Sequence, residues 1–367
     1  MKVLFVFNHQ APYKVRLFNE LSKKVEVTAL FERLKDSDRD PRFYGGENID
    51  FKTVYIKGLN LGHDNHLSRG VVKHLKNNEY DMVIMNGWHT FSEMAAINYL
   101  KKHGKPYVFY INGGIIRKKE TNLLKKIKTR YISGADLYFS PDENSNKYLI
   151  HYGAEPDKIV NYPYSTIYER EILKEPISPQ EKAEIRKSLN LDAAKVFVSC
   201  GQFIPRKNFM RLISYWKKRP KNHLLILIGG GPEEKKYRKF IKGLGLTNIR
   251  ILNFQSRHVV FNYFKAADVY LFPSKEDIYG HVVNEALSQA LPVISNHNVN
   301  SAQHLIRDGE NGFVIDFDNG DEIDEAISKT LDNQKMATAA LDTARQNTIE
   351  LMAKTHIDAF YNWMCHK

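Results

Sequence analysis

Short apolar runs recur along this chain at 2–7, 25–31, 51–56, 81–85, 107–111, 137–139 and 158–160, most of them separated by amphipathic helical stretches. Strands that alternate with helices predict a parallel sheet covered by helices on both faces. After 161–164 the chain turns polar and charged as far as 177–179, which reads as a linker between domains. A second alternating set opens at Lys195, with apolar strands at 196–200, 224–228, 251–252 and 267–272. The expected fold is therefore α/β, with two doubly wound parallel-sheet domains at 1–165 and 166–350 and a last helical segment at 351–367. No internal repeat or low-complexity tract interrupts the pattern.

The loop after the 267–272 run holds the densest chemistry. Residues 273–280 read as a loop and 281–290 as a helix that Pro292 closes, so Asp277 and Glu285 flank a glycine turn that opens a helix. The first turn of such a helix offers unpaired N–H groups and the positive end of a dipole, which suits a diphosphate. His281 and Glu285 are four apart and share one helix face. Upstream, 196–208 reads strand, glycine turn at Gly201, then the basic pair Arg206 and Lys207 at a helix start. Cations there are mildly unfavourable unless an anion sits beside them. The strand at 224–228 runs into Gly229, Gly230 and Gly231, but Pro232 and the missing third glycine of a dinucleotide fingerprint argue against NAD.

The 273–286 segment resembles the acidic signature of the family 4 retaining glycosyltransferases, Glu, seven residues, Glu, within a run like E-x-F-G-x-x-x-x-E-A. Asp277 stands at the first acid, with Glu276 one residue off register, and Glu285 at the second. Lys207 matches the lysine of the family's G-R-x-x-x-x-K-G element; Gln202 stands where arginine is frequent, and Arg206 is the candidate replacement. The stretch 251–255, with Phe254 and Gln255, matches the corner near which the donor's base rests, and 308–314 resembles the family's D-G-x-N-G-x-x turn.

The resemblance implies a GT-B architecture: two Rossmann-like domains facing a cleft, the nucleotide sugar in the second, the acceptor in the first, and a last helix crossing back to the first, here with Phe360, Tyr361 and Trp363. It also implies roles. Lys207, Arg206 and the amides around Gly280, His281 and Val282 would stabilise the departing diphosphate. Glu285 would hold the ribose, and Asp277, or Glu276 in its place, the sugar. Gly201, Gln202, Gly229, Gly230 and Tyr279 complete the expected donor pocket. The implied reaction is front-face transfer with retention, with no protein nucleophile, no required cofactor, and the nucleotide-diphosphate sugar as substrate. A nucleotide-sugar epimerase or phosphorylase on the same fold is the alternative reading, and a binding-only protein a third.

Composition narrows the partners. The 367 residues suit two domains, and 43% hydrophobic content is enough for two cores. Cys200 and Cys365 give no disulfide framework, no signal-peptide pattern opens the chain, and no apolar run nears the roughly 18 to 20 residues of a membrane helix. The expected location is cytoplasmic, with peripheral attachment at the inner face of the membrane. A net charge of +12 calls for an anionic partner. Nucleic acid is not expected, because no zinc knuckle, RNP-type aromatic motif or basic zipper helix is present. Anionic lipid fits better: the segment 117–130, from Arg117 to Arg130, interleaves Leu123, Leu124 and Ile127 with Lys118, Lys119, Lys125, Lys126 and Lys128. Its other reading is a solvated helix that packs the apolar stripe inward.

The saccharide or lipid-linked acceptor is expected on first-domain loops after strands, at Asn8 to Tyr13, Asn86 to Thr90 and Asn112 to Gly114. His89 could orient an acceptor hydroxyl or the transferred sugar, or be a structural histidine. Asp36 with Asp38 and Asp316 with Asp318 read as solvated loop acids, and His281 with Glu285 lacks a third ligand, so no metal is expected.

Overall fold

A computed structural model describes residues 1–35, 41–44, 46–60, 66–117 and 119–366. The chain divides into two compact units, Met1–Ser165 with Ile349–Lys367, and Thr166–Thr348. In the first unit the strands are β1 (Lys2–His9), β2 (Glu26–Arg33), β3 (Lys52–Tyr55), the small hairpin β4 (Leu59–Asn60) and β5 (His66–Leu67), β6 (Met82–Asn86), β7 (Val108–Tyr110), β8 (Leu137–Ser140) and β9 (Ile159–Asn161). All but the hairpin form one sheet in the order β3-β2-β1-β6-β7-β8-β9, each adjacent pair parallel. Leu4 and Val6 pack on one face of β1 and Phe5 and Phe7 on the other, all buried, as a two-sided parallel strand requires.

The helix Ile349–Cys365 belongs to this first unit, where it packs on the helix Pro12–Ser22. Phe360 is its anchor, against the rings of Phe5 and Phe139. His356, one turn earlier, stacks 4.3 Å from Phe139. Burial lowers its pKa to about 4, so it packs as a neutral ring that donates to the Met352 carbonyl. Of the three aromatics expected to dock, Tyr361 instead faces solvent.

The second unit is built on β10 (Lys195–Gln202), β11 (His223–Gly230), β12 (Ile249–Leu252), β13 (Val269–Phe272), β14 (Val293–Asn296) and β15 (Gly312–Ile315). Their order, β12-β11-β10-β13-β14-β15, is that of a Rossmann sheet, all parallel. The segment read as a linker is in part a packed element, because Ile167, Tyr168 and Ile172 are buried. The expected helix 281–290 is shorter, Val282–Leu287. Ala290 takes a left-handed φ of +57°, and the Leu291 N–H donates back to the Ala286 carbonyl, a closure that glycine more often provides.

Candidate functional site

In the second sheet the strand order reverses between β10 and β13, and such a switch point opens a crevice at the carboxyl ends of the strands. The segments leaving these two strands carry the charged residues. After β10 a short turn, Pro205–Lys207, ends at Asn208, which takes φ +58° and starts the helix Phe209–Trp216. Lys207 reaches back so that Nζ lies 2.5 Å from Asp277 Oδ2 and 4.8 Å from the centre of the Phe272 ring. Arg206 adds Nη1 at 3.3 Å from the same carboxylate oxygen and donates to the Glu276 carbonyl at 2.8 Å.

The loop after β13 is pinned through its backbone. Asp277 N–H donates to Asn298 O at 2.8 Å, and Lys275 N–H to Arg206 O at 2.9 Å. These bonds turn Asp277 inward and leave the Glu276 side chain in solvent. Gly280 adopts φ +98°, and a Cβ there would meet Phe272 at 2.9 Å and Ser301 Oγ at 3.0 Å, so only glycine fits the turn. Buried Tyr279 lies 5.2 Å from the His281 ring, centre to centre.

The side chains of Lys207 and Asp277 are only 11% and 10% exposed, which makes this a buried ion pair. Burial raises the Asp277 pKa, but the Lys207 charge and hydrogen bond, then Arg206 and the Tyr279 amide, outweigh it and hold the carboxyl below its usual range. For Lys207 burial wins: desolvation lowers its pKa, Asp277 opposes, and Arg206 adds to the lowering. Two cations thus share one carboxylate in a dry corner.

Glu285 projects from the helix Val282–Leu287 into a second cluster. Its Oε1 accepts from Arg257 Nη1 at 2.8 Å and from Thr166 Oγ1 at 2.9 Å. Arg257 opens the helix Arg257–Ala266, directly after the corner that holds Phe254 and Gln255. Cys200 ties the clusters together: burial pushes its thiol up to about 12, the Glu285 charge adds to the rise, and Lys207 opposes it.

The candidate donor residues therefore converge on one edge: Gly201, Gln202, Arg206 and Lys207 follow or end β10, Gly229 and Gly230 end β11, Phe254 and Gln255 follow β12, and Glu276, Asp277, Tyr279, Gly280, His281, Val282 and Glu285 follow β13. Gly229 has a structural reason of its own, since a Cβ there would lie 1.9 Å from Gly201 O. Arg257 and Thr166 were not foreseen; they lie 28 and 119 positions from Glu285, and no local pattern announces them.

His89 lies in the first unit, in the turn between β6 and the helix Phe91–Lys102, with its ring 5.6 Å from that of Trp88. The neighbouring turn after β1 is organised by Lys14, whose Nζ donates to Asn8 Oδ1 at 3.0 Å and His9 O at 3.2 Å. Asn112 Nδ2 donates to Asn86 Oδ1 at 3.2 Å, which joins two of the expected acceptor loops. Asp36 and Asp38 lie outside the described residues, as does Lys118. The Asp318 N–H donates to Asp316 Oδ1 in a local turn.

The basic segment 117–130 forms the helix Asn122–Ile132, and the structure corrects the inward-packing alternative. Leu123, Leu124 and Ile127 point outward at 70%, 39% and 37% exposure, beside exposed Arg117, Lys119, Lys125, Lys126 and Arg130. Among the described cations of the segment Lys128 turns in, 2.6 Å from Glu120 and bonded to Tyr152. Among the described residues no helix is long and apolar enough to cross a membrane.

The sequence profile of the group 1 glycosyl transferases matches residues 181–347, and that of glycosyltransferase family 4 matches residues 13–161. The chain belongs to the group 1, family 4 glycosyltransferases. Among curated relatives of this family member, the lipopolysaccharide core biosynthesis glycosyltransferase LpsE of Rhizobium meliloti (strain 1021) is 27% identical over 176 residues, 47% of this chain and 51% of that protein. The chain spans about half the length of the first curated relatives it matches. Among solved structures, Anabaena HepE in complex with UDP superposes with a TM-score of 0.76 at 17% identity, covering 99% of this chain and 100% of that one. The sucrose-phosphate synthase of Thermosynechococcus elongatus gives 0.78 at 16% identity, with 100% of each chain covered. These likenesses establish the GT-B fold for the family member, with its two parallel sheets.

Proposed function

We propose that this family member moves a sugar from a nucleoside-diphosphate sugar to a hydroxyl of a saccharide or lipid-linked saccharide, with retention at the anomeric carbon, in the synthesis of a surface glycan. The observation that carries the reading is the buried Lys207–Asp277 pair with Arg206 beside it at the switch point of the second sheet. A desolvated lysine and a neighbouring guanidinium share one carboxylate, and a diphosphate supplies the anion they lack. UDP bound to HepE and the lipopolysaccharide role named for LpsE support the same choice of donor and product class.

In this reading the bond from C1 of the sugar to the diphosphate breaks while a bond from C1 to the acceptor oxygen forms on the same face. The acceptor's proton passes to the departing phosphate oxygen. Lys207 and Arg206 stabilise the charge that grows there, and one preorganised donor of this kind is worth about 3 to 4 kcal/mol. The helix at Val282 has six residues, so its contribution comes from the amides around Gly280, His281 and Val282 more than from a long dipole. Asp277 holds sugar hydroxyls, Glu285 the ribose, and His89 orients the acceptor. The donor is a substrate, and the scheme requires no cofactor.

The outward apolar stripe of the helix Asn122–Ile132, ringed by cations, supports attachment to an anionic membrane face, where a lipid-linked acceptor resides. Calorimetric titration with UDP tests the donor site: wild type binds and Lys207→Ala loses most of the affinity. Equal binding by both would remove Lys207 from the phosphate site. Epimerised or phosphorolysed donor in the absence of any acceptor would favour the epimerase or phosphorylase reading instead.

A further inference from the structure

The turn that carries His89 is fixed from more than one side. Asn86, where it begins, is bonded by Asn112 Nδ2, and the Trp88 ring stacks on Tyr131 of the helix Asn122–Ile132 with the planes 2° apart. Gly87 takes φ +86°, and a Cβ there would lie 3.0 Å from His89 Cδ2, so the imidazole packs directly over the turn. The hold at its far end, Thr90, is made by two acids.

Thr90 caps the helix Phe91–Lys102 and is 1% exposed. Its N–H donates to Glu93 Oε2 at 3.0 Å, while its hydroxyl accepts from the Glu93 N–H at 3.0 Å and donates to Glu32 Oε1 at 2.6 Å. Glu93 and Glu32 are themselves 1% and 2% exposed. A capping box asks for one Glu or Gln at the place of Glu93. Glu32 arrives from the end of β2 as a second acid that the cap does not need. Burying a carboxyl costs free energy, and groups buried at such a cost gather at functional sites.

The surroundings do not neutralise the pair. Burial raises Glu32 to about 7, against the Thr90 bond, the Arg33 charge on β2 and the Ser92 hydroxyl. Burial and then the Glu32 charge raise Glu93 to about 8, against the Thr90 and His89 N–H groups and the charge of Lys14 in the helix Pro12–Ser22. His66 on β5 is held low by burial and by Arg33, so it brings no further cation at neutral pH. While the acids keep a proton between them, each still has an oxygen that accepts from Thr90. Once the last proton leaves, two like charges meet on one residue and repel.

We propose that Glu32 and Glu93 are positioning residues for the turn of His89, which they hold while they share a proton and loosen when both are charged. That His89 then meets an acceptor rests on the transferase reading above; the coupling of the acids to the turn does not.

The test is amide NMR on the full chain, isotope-labelled at histidine and threonine nitrogen, in steps from mildly acid to mildly alkaline pH. The peaks of His89 and Thr90 are identified by their loss in His89→Gln and Thr90→Ser. In wild type both peaks should shift with midpoints in the interval from about 7 to about 8. Their protection from exchange, corrected for the intrinsic rate at each pH, should fall by about tenfold or more above that interval. Glu93→Gln and Glu32→Gln should each abolish the fall, because glutamine still accepts from Thr90 and leaves at most one charge. Histidine and threonine peaks of the second unit show whether each variant has folded, and the wild-type titration stands without either variant. Wild-type peaks that keep their protection throughout overturn the proposal, as does a fall that persists in either glutamine variant. UDP affinity, titrated on the same samples, should stay within about twofold in both variants, because nothing at the second-unit site is altered. A wild type that binds no UDP sinks the transferase reading and leaves the acid-held turn standing.

Discussion

Lys207 and Asp277 are 70 positions apart in the chain and 2.5 Å apart in space, and each is the other's main charge partner inside a nearly closed corner. Removing Asp277 leaves Lys207 buried without its carboxylate, at a cost of about 3 to 5 kcal/mol, whereas removing Lys207 still leaves Arg206 on Asp277 and should cost less. Lys207→Met and Asp277→Asn should each lower the midpoint of urea unfolding. The double variant should be more stable than the sum of the two losses allows. Asp277 has a depressed folded-state pKa, so its contribution is present above the unfolded value of 3.8 and disappears as pH falls below it. Asp277→Asn should accordingly flatten the acid limb of stability against pH. Strictly additive single and double variants would mean that the pair is not coupled.

The two adjacent acids of the loop separate by burial. Asp277 is turned in by its backbone bonds and meets both cations, whereas Glu276 offers them only its carbonyl and faces solvent with its side chain. Asp277→Ala should reduce kcat by about a hundredfold or more, the scale of a preorganised electrostatic contact. Glu276→Ala should stay within a few-fold of wild type. Turnover of both variants on one donor and acceptor pair decides it, and the opposite ranking would assign the sugar-binding role to Glu276.

Alternation of apolar runs was enough to read both sheets and the order of the donor elements, because buried parallel strands are nearly continuous apolar stretches. Where the reading fell short, the cause was a contact distant in sequence. Lys128 belongs to the basic stripe by spacing, yet Glu120 and Tyr152 draw it inward and thereby rotate Leu123 and Ile127 to the surface. Arg257 reads as an ordinary helix start, and only the fold brings Glu285 to it. The hairpin of Leu59–Asn60 with His66–Leu67 is too short to leave a period. The helix after Gly280 ends early because Ala290 takes a conformation that the alanine side chain does not advertise.

Gly280 offers a test of the turn itself. With φ at +98° and Phe272, Val299 and Ser301 packed where a Cβ would go, Gly280→Ala combines backbone strain with a steric clash. The expected loss exceeds about 1 kcal/mol, the gain that glycine replacement gives at compatible sites, now reversed in sign. Thermal unfolding should shift down by several degrees, and UDP binding should weaken as the amides at His281 and Val282 move. An unchanged melting temperature would mean that the turn can relax at no cost.

The outward face of the helix Asn122–Ile132 predicts lipid binding that depends on charge and on apolar contact together. Wild type should co-sediment with phosphatidylglycerol vesicles and not with phosphatidylcholine alone, each nearby cation adding about 1 kcal/mol. Leu123→Asp with Ile127→Asp should abolish sedimentation at a modest cost in stability, since Leu123 is 70% exposed and Ile127 is 37% exposed. Lys125→Glu with Lys126→Glu should do the same. Equal sedimentation of wild type and both double variants would show that the membrane meets another face.

Glu32 and Glu93 make the first unit sensitive to pH. Burial raises Glu32 from 4.5 to about 7, and burial with the Glu32 charge raises Glu93 from 4.5 to about 8. Both shifts are upward for carboxyl groups, so the folded chain keeps protons that the unfolded chain has released. Stability is then greatest below the unfolded value and declines as pH climbs through the interval from 4.5 to about 8. The two acids titrate as a pair, so the slope belongs to both. Glu93→Gln should keep the helix cap, because a glutamine at that position can also accept from the Thr90 N–H. The variant has no proton to lose there, and it relieves Glu32 of a neighbouring charge. Its unfolding free energy should match wild type within about 0.5 kcal/mol at pH 5, the range of a neutral substitution. By pH 9 it should exceed wild type, because only the wild type must then hold two buried carboxylates on Thr90, one at its hydroxyl and the other at its N–H. Denaturation curves that run parallel for the two proteins from pH 5 to pH 9 would place the proton affinity elsewhere.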